Sequence, residues 1–423
     1  MKHVPFLVLL ALMSAPARTD ARDWLRFRGP NGAGTSPVSG LPLKWSQSDN
    51  IVWRTKLPGY GASCPITLGD RIYLAAYSGY GAGADGSKEM LQDHVICVDR
   101  QSGQVVWDKV TQGSADEQDY DTWLPRHGYA SATPVTDGEA VYAFFGISGV
   151  VAYDLNGKKL WLTRVGSKTH GWGTAASPVV HENLLIVNAS VESGSLYGLD
   201  KKTGKEVWTA QGIVQSYNTP LLLKTKDGKT ELVVNSNGKL FGFDPANGEQ
   251  LWFHNTQGNT YICPSVVAHE DIVYALCGRS GQFVAVRIGG RGDVTESHTV
   301  WRASGSSNVP SPVYHDGYLY WSNEDGIVRC LNAKDGTVVE AYRGRLPDSD
   351  LVYASPLAAD GRLYIVSRER GTYVLALKPE FEPLSHNVIT DDNSLFNASP
   401  VVSQGQLLLR SNEYLYCVGE LGK

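Results

Sequence analysis

Ser177-Pro178-Val179-Val180-His181-Glu182-Asn183-Leu184-Leu185-Ile186-Val187-Asn188, continued by Gly194-Ser195-Leu196-Tyr197-Gly198-Leu199-Asp200-Lys201-Lys202-Thr203-Gly204-Lys205-Glu206-Val207-Trp208, is the stretch that decides the fold. Apolar runs of about five residues alternate with Gly, Asn and Asp turns, which is the pattern of four short antiparallel strands. The phrase opens on an X-Pro dipeptide, and such dipeptides recur: Cys64-Pro65, Thr133-Pro134, Ser177-Pro178, Thr219-Pro220, Cys263-Pro264, Ser311-Pro312, Ser355-Pro356 and Ser399-Pro400. Successive prolines lie 69, 44, 42, 44, 48, 44 and 44 residues apart. All but the first spacing fall in the period of a β-propeller blade.

The fourth strand of the phrase closes on Trp, at Trp107, Trp161, Trp208, Trp252 and Trp301, and in four cases a Gly precedes it by four residues (Gly103, Gly157, Gly204, Gly248). The Gly accepts the positive φ of the turn, and the Trp docks between adjacent blades. Blade six has Glu340 in the Trp position, and Pro379 and Pro383 replace the turn of blade seven. The last repeat supplies three strands. Ile51-Val52-Trp53-Arg54 reads as a Trp strand with no blade in front of it, so the expectation is an all-β, eight-bladed propeller of four-stranded blades, closed by this N-terminal strand. Closure removes an open sheet edge.

Composition agrees with one large all-β unit: 423 residues, 45 Gly, 21 Tyr and 11 Trp, with 19% charged residues. Residues 51–423 read as the single propeller domain and 18–50 as an N-terminal extension. Residues 1–17 carry a basic start at Lys2, an apolar run over 4–13 too short to span a bilayer, and Ala15-Pro16-Ala17 as small cleavage residues. This is the pattern of an export signal cleaved near Ala17. The expected location is the periplasm or the exterior, with no transmembrane segment and a monomeric chain. A net charge of −5 disfavours nucleic acid and anionic membranes as partners.

Six cysteines in an exported chain raise the question of disulfides. Cys97, Cys330 and Cys417 sit in a third-strand slot that other blades fill with Gly or Ala, and read as small buried residues against the next blade. Cys263 and Cys277 are equidistant from the turn at Glu270, so they are candidates for a cross-hairpin disulfide. The other four read as free.

The repeat, with its Asp-to-Gly-to-Trp ending at Asp200, Gly204 and Trp208, resembles that of the pyrroloquinoline-quinone (PQQ)-like propellers. The resemblance runs from Trp24 to the C-terminus, and the opening Asp23-Trp24-Leu25-Arg26-Phe27-Arg28-Gly29-Pro30 resembles the segment that precedes this propeller in exported bacterial proteins. The family includes quinoprotein dehydrogenases and non-catalytic envelope scaffolds of the BamB type, so fold alone does not select a function. The dehydrogenases carry a vicinal Cys pair, a Trp floor, calcium held by Glu and Asn, and an Asp base. No two cysteines here are adjacent, and no Cys-x-x-Cys-His attaches haem. PQQ with calcium is therefore the alternative cofactor expectation, and none the first.

Residues just before the X-Pro strands are rich in aromatics and amides, and blade one carries two long insertions, 79–93 and 112–128, expected on the same face. The candidate ligand funnel comprises His127, Tyr129, His170, Trp172, Tyr217, Asn218, Tyr261, Asn308, Asn323, Tyr353, Arg368 and Asn397. No catalytic set is identifiable. His127 and His170 have no carboxylate at metal-ligand spacing, and the acidic run Asp116, Glu117, Asp119, Asp121 reads as a solvated loop without calcium-loop spacing. Arg291-Gly292-Asp293 reads as an extended turn of blade five. The expected activity is binding of an envelope protein, peptide or glycan, and a quinone-dependent oxidoreductase is the alternative.

Overall fold

The computed structural model describes residues 23–258 and 261–420; the proposed export signal lies outside them. Eight antiparallel sheets follow one another around a ring. Blade three shows the plan: Val179–His181 is innermost, followed by Leu184–Ala189, Ser195–Asp200 and the outer Glu206–Gln211. Ile51–Lys56 is the outer strand of the last sheet, with Trp53 opposite Cys417 and Lys56 opposite Tyr414. Blades four and seven each carry a fifth strand: Gly292–Asp293 lies parallel to the outer strand of blade four, and Thr35–Ser36 parallel to Leu357–Ala359 of blade seven. Arg291-Gly292-Asp293 thus leaves its own blade and adds to its neighbour.

Each Trp of the outer strand faces a small residue on the adjacent third strand: Trp107 opposite Cys97, Trp161 opposite Ala152, Trp208 opposite Gly198, Trp301 opposite Ala285. A Cβ on Gly198 would stand 2.3 Å from the Trp208 ring. The small slot therefore accommodates the indole of its own blade, not the next blade as the sequence suggests. The far side of the ring reaches the next blade. Trp161 donates its indole N–H to the carbonyl of Lys201 at 3.0 Å, and Trp208 to that of Pro245 at 3.1 Å. Gly204, at φ +70, lies against Trp161, and any Cβ there would come within 2.5 Å of the ring. One residue type thus satisfies the turn and the blade contact together. Trp252 differs: its indole donates to the buried carboxylate of Glu231 at 2.8 Å, which also meets the Gly289 amide and Arg291.

Inner strands are joined by a closed circle of hydrogen bonds. The amide of Cys64 donates to Thr133 Oγ1, Thr133 to Ser177 Oγ, Ser177 to Thr219 Oγ1, Thr219 to Ser265 Oγ, Ser265 to Ser311 Oγ, Ser311 to Ser355 Oγ, and Ser355 to Ser399 Oγ; Ser399 closes the circle on Cys64 Sγ. In blade five the member is Ser265, two residues after the position that Cys263-Pro264 marks. The blade's repeat is Ser265-Val266-Val267, so Pro264 is displaced from the register of the other seven prolines.

The same register removes the Cys263–Cys277 disulfide. Both thiols are free. Val267 pairs with Tyr274 and His269 with Ile272, which centres the hairpin between Glu270 and Asp271 and leaves the two cysteines one residue out of alignment. A one-residue offset sends side chains to opposite faces. Cys263 lines the central cavity, whereas Cys277 packs beside Gly258.

Candidate functional site

The N-terminal segment determines the shape of the axis. Trp24 exchanges hydrogen bonds with Thr67 of blade one, the Leu25 carbonyl receives the Thr136 amide of blade two, Arg28 reaches the Pro312 carbonyl of blade six, and the Gly34 carbonyl receives the Ala358 amide of blade seven. The chain therefore crosses one end of the ring, and Phe27 enters the axial cavity. The cavity is a funnel with a floor, and its volume is about 130 Å³.

Its wall is built in tiers, two residues apart along each entering strand. The lower tier is the hydrogen-bonded circle, all of whose members but Thr133 line the cavity. The next comprises Ala62, Ser131, Ala175, Tyr217, Cys263, Val309, Tyr353 and Asn397, one from each blade. His127, Trp172, Tyr261 and Asn308 complete the wall. Of the twelve residues expected at the funnel, His127, Trp172, Tyr217, Tyr261, Asn308, Tyr353 and Asn397 come together there. The other five support or lie away from it. His170 Nδ1 holds the Tyr217 hydroxyl at 2.8 Å, and Arg368 donates from Nε to Asn397 Oδ1 at 2.9 Å with its guanidinium over the Tyr353 ring. Asn218 is buried between Ser216 and Asn235. Asn323 closes a turn by accepting the Asp325 and Ile327 amides. Tyr129 belongs to a cluster with Tyr77, Tyr80 and Tyr120. Sequence reasoning missed the serine circle and Phe27, because Ser before Pro reads as turn chemistry and Phe27 has no repeat to align with.

The insertions of blade one brace each other. Lys88 meets Asp119 at 2.9 Å, Gln112 Nε2 donates to the Glu89 carbonyl at 2.8 Å, and the Tyr120 amide donates to the Tyr80 hydroxyl. The second insertion then reaches over the mouth. Trp123 stacks on Trp172 at 5.1 Å, Trp172 meets Tyr261 at 5.7 Å, and Arg126 donates to the Tyr353 hydroxyl at 2.8 Å. The Arg126 carbonyl accepts from both Arg368 and Asn397. Blade one is thereby tied to blades seven and eight across the opening.

Among the described residues, the cavity wall holds no Asp, Glu, Lys or Arg. Burial lowers His127 to about 4, which leaves its imidazole neutral, with Nδ1 on Ser131 Oγ. Burial pushes the Cys263 thiol up to about 12, and Cys64 shifts the same way. Behind the Cys64 wall, Arg28 and Arg410 are buried against carbonyl oxygens, and desolvation brings each guanidinium down to about 9. Beside the mouth, Glu117 is not a solvated loop residue. It faces Glu192 across Gly146, and burial raises both carboxyls to about 7. Asp93 is raised as well, by burial and then by Glu117. Among the described residues no group of three His, Cys, Asp or Glu is placed to hold a metal ion, and no helix is long and apolar enough to cross a membrane.

Comparison with known proteins gives the fold its relatives. No curated protein matches in sequence. BamB from Moraxella catarrhalis is similar in structure, with 15% identity and TM-score 0.63 over 88% of this chain and 98% of that one. A quinohemoprotein alcohol dehydrogenase from Pseudomonas putida has 11% identity and TM-score 0.61, covering 96% and 81%. A europium-containing methanol dehydrogenase has 10% identity and TM-score 0.52, covering 95% and 98%. BamB and the two dehydrogenases thus share this ring. Residues 43–171 and 91–342 match the family model described as outer membrane protein assembly factor BamB, so the chain belongs to that PQQ-like propeller family.

Proposed function

We propose that the chain is an exported, non-catalytic binding module of the cell envelope, which recognises a protein, peptide or glycan through its insertion-bearing face. The observation that carries this reading is the bracing of the two insertions, which hold each other and span the mouth to Tyr353 and Asn397. A ring that served packing alone has no use for such an elaboration. Long loops fixed on a rigid scaffold are where recognition concentrates. Shortening both insertions to tight turns is expected to leave a folded ring with a cooperative melt and to abolish capture of the partner cross-linked from envelope extract. Retained capture by the shortened protein overturns the reading.

The quinoprotein alternative draws support from the dehydrogenases that share the fold. The wall residues do not fit it. PQQ is a polycarboxylate held with calcium, a hard cation that takes carboxylate and carbonyl oxygens, and the funnel presents neither a carboxylate nor a cationic side chain on its surface. Incubation with PQQ and calcium is expected to give no bound quinone absorbance and no alcohol-dependent dye reduction.

A further inference from the structure

The funnel interior has chemistry that the insertions lack. Ser177, Thr219, Ser265, Ser311 and Ser355 each accept one main-chain amide through the side-chain oxygen, and all five line the cavity. Among the described residues none of these hydroxyls has an acceptor for its own proton. A hydroxyl carries one proton and two lone pairs. Each oxygen therefore keeps one donor and one lone pair for an occupant of the lumen. Five such groups in one ring offer an occupant of the lumen matched sites for donating and accepting. Above them the wall turns apolar at Ala62, Ala175 and Val309, and includes the rings of Trp172 and Tyr261. A charged molecule entering here leaves water without finding an opposite charge on the wall.

We infer that the funnel takes the uncharged end of a saccharide, whose hydroxyls pair with the Ser and Thr ring and whose C–H face lies on Trp172 and Tyr261. This deepens the binding-module reading and rests on it, by naming glycan as the class that enters the axis. Hydroxyls that both donate and accept suit a polyol better than a carbonyl compound, which only accepts. Aromatic rings with a polar tip suit a surface that is apolar on one side and hydroxylated at its rim. The buried guanidiniums of Arg28 and Arg410, behind the wall, make a cation unwelcome.

The test titrates the mature chain with glucose, N-acetylglucosamine and cellobiose, and with glucuronate and glucosamine as charged counterparts, followed by tryptophan fluorescence and calorimetry. The neutral sugars are expected to bind and the charged ones to bind far more weakly. Trp172→Ala is expected to weaken binding about 10-fold, and Ala175→Phe, which fills the lumen, to abolish it. Silence from every neutral sugar up to its solubility limit overturns the inference. So does glucuronate binding as well as glucose, which would assign the site to an anion drawn by Arg28 and Arg410, or sugar binding that neither substitution weakens. If Ala175→Phe fails to fold, Trp172→Ala decides alone. Partner capture that depends on the insertions while no sugar binds removes the saccharide and leaves the module; sugar binding sensitive to Trp172 with capture insensitive to the insertions does the reverse.

Discussion

Glu117 belongs to an acidic run that reads as solvent-facing, yet the fold turns it against Glu192 and withdraws both from water. Their carboxyls move up from an ordinary 4.5 to about 7. The unfolded chain ionises both groups as pH rises past 4.5, while the folded chain keeps its protons until about 7. The folded state then binds more protons, so stability falls across that interval and levels above it. Thermal melts are expected to decline from pH 5 to pH 8, and Glu117→Gln with Glu192→Gln to flatten the slope; an unchanged slope would show that these carboxyls do not control it. The indoles divide by position. Trp208→Ala is expected to cost about 3–5 kcal/mol, as for large core aromatics, and Trp172→Ala far less, since it lies half-buried at the mouth. Urea titration of both proteins compares them, and equal losses would make Trp172 a core residue. Trp172, Tyr217, Tyr261 and Tyr353 were legible in the sequence because aromatics at each blade junction stand out against a repeat. Glu192 was not, because a carboxylate in a Ser-Gly turn looks solvated until the neighbouring loop covers it.

Strands are the elements that the sequence announces most clearly, because period-two apolar runs between Gly and Asp turns have few other solutions. Register is harder. Pro264 points to Cys263 as the inner residue of blade five, but the amide of Thr219 finds its acceptor on Ser265, and the side-chain faces of the hairpin follow that choice. A proline is a local signal, whereas membership of the circle depends on the neighbouring blades. The circle itself is testable. Ser311→Ala leaves the Ser265 amide without its acceptor and is expected to cost about 1–3 kcal/mol. Ser306→Ala, close by in sequence but outside the circle, serves as the control in the same denaturant series; equal effects would show that the bond contributes nothing of its own. The insertions were visible as departures from the repeat length, but their grip on each other was not, since Lys88 and Asp119 are 31 residues apart with no periodic relation.

At the scale of the molecule, residues 23–56 do three things in sequence: they seal one end of the axis at Phe27, lie along blade seven, and form the outer strand of blade eight. The first of these carries no repeat signal and could not be anticipated, whereas the last follows from counting strands. Removing residues 50–57 leaves Tyr414–Val418 as an exposed edge, and the expected result is aggregation or loss of a cooperative melt, read by light scattering and calorimetry. A soluble deletion variant with the parent's melt would mean that the ring does not need this strand. The pairing of Lys56 with Tyr414 also sets an order of events in time. The strand that must receive Ile51–Lys56 is the last of the ring to be made, so the first strand of the ring waits, unpaired, for the last. Blades one to seven have their own hairpins to form as they appear, but the circle is completed only by a contact spanning nearly the whole polypeptide, and such long-range closures are slow. The nascent chain therefore stays an open arc until Tyr414–Val418 has been made, and it gains the resistance of a closed ring only when both of its ends are present together.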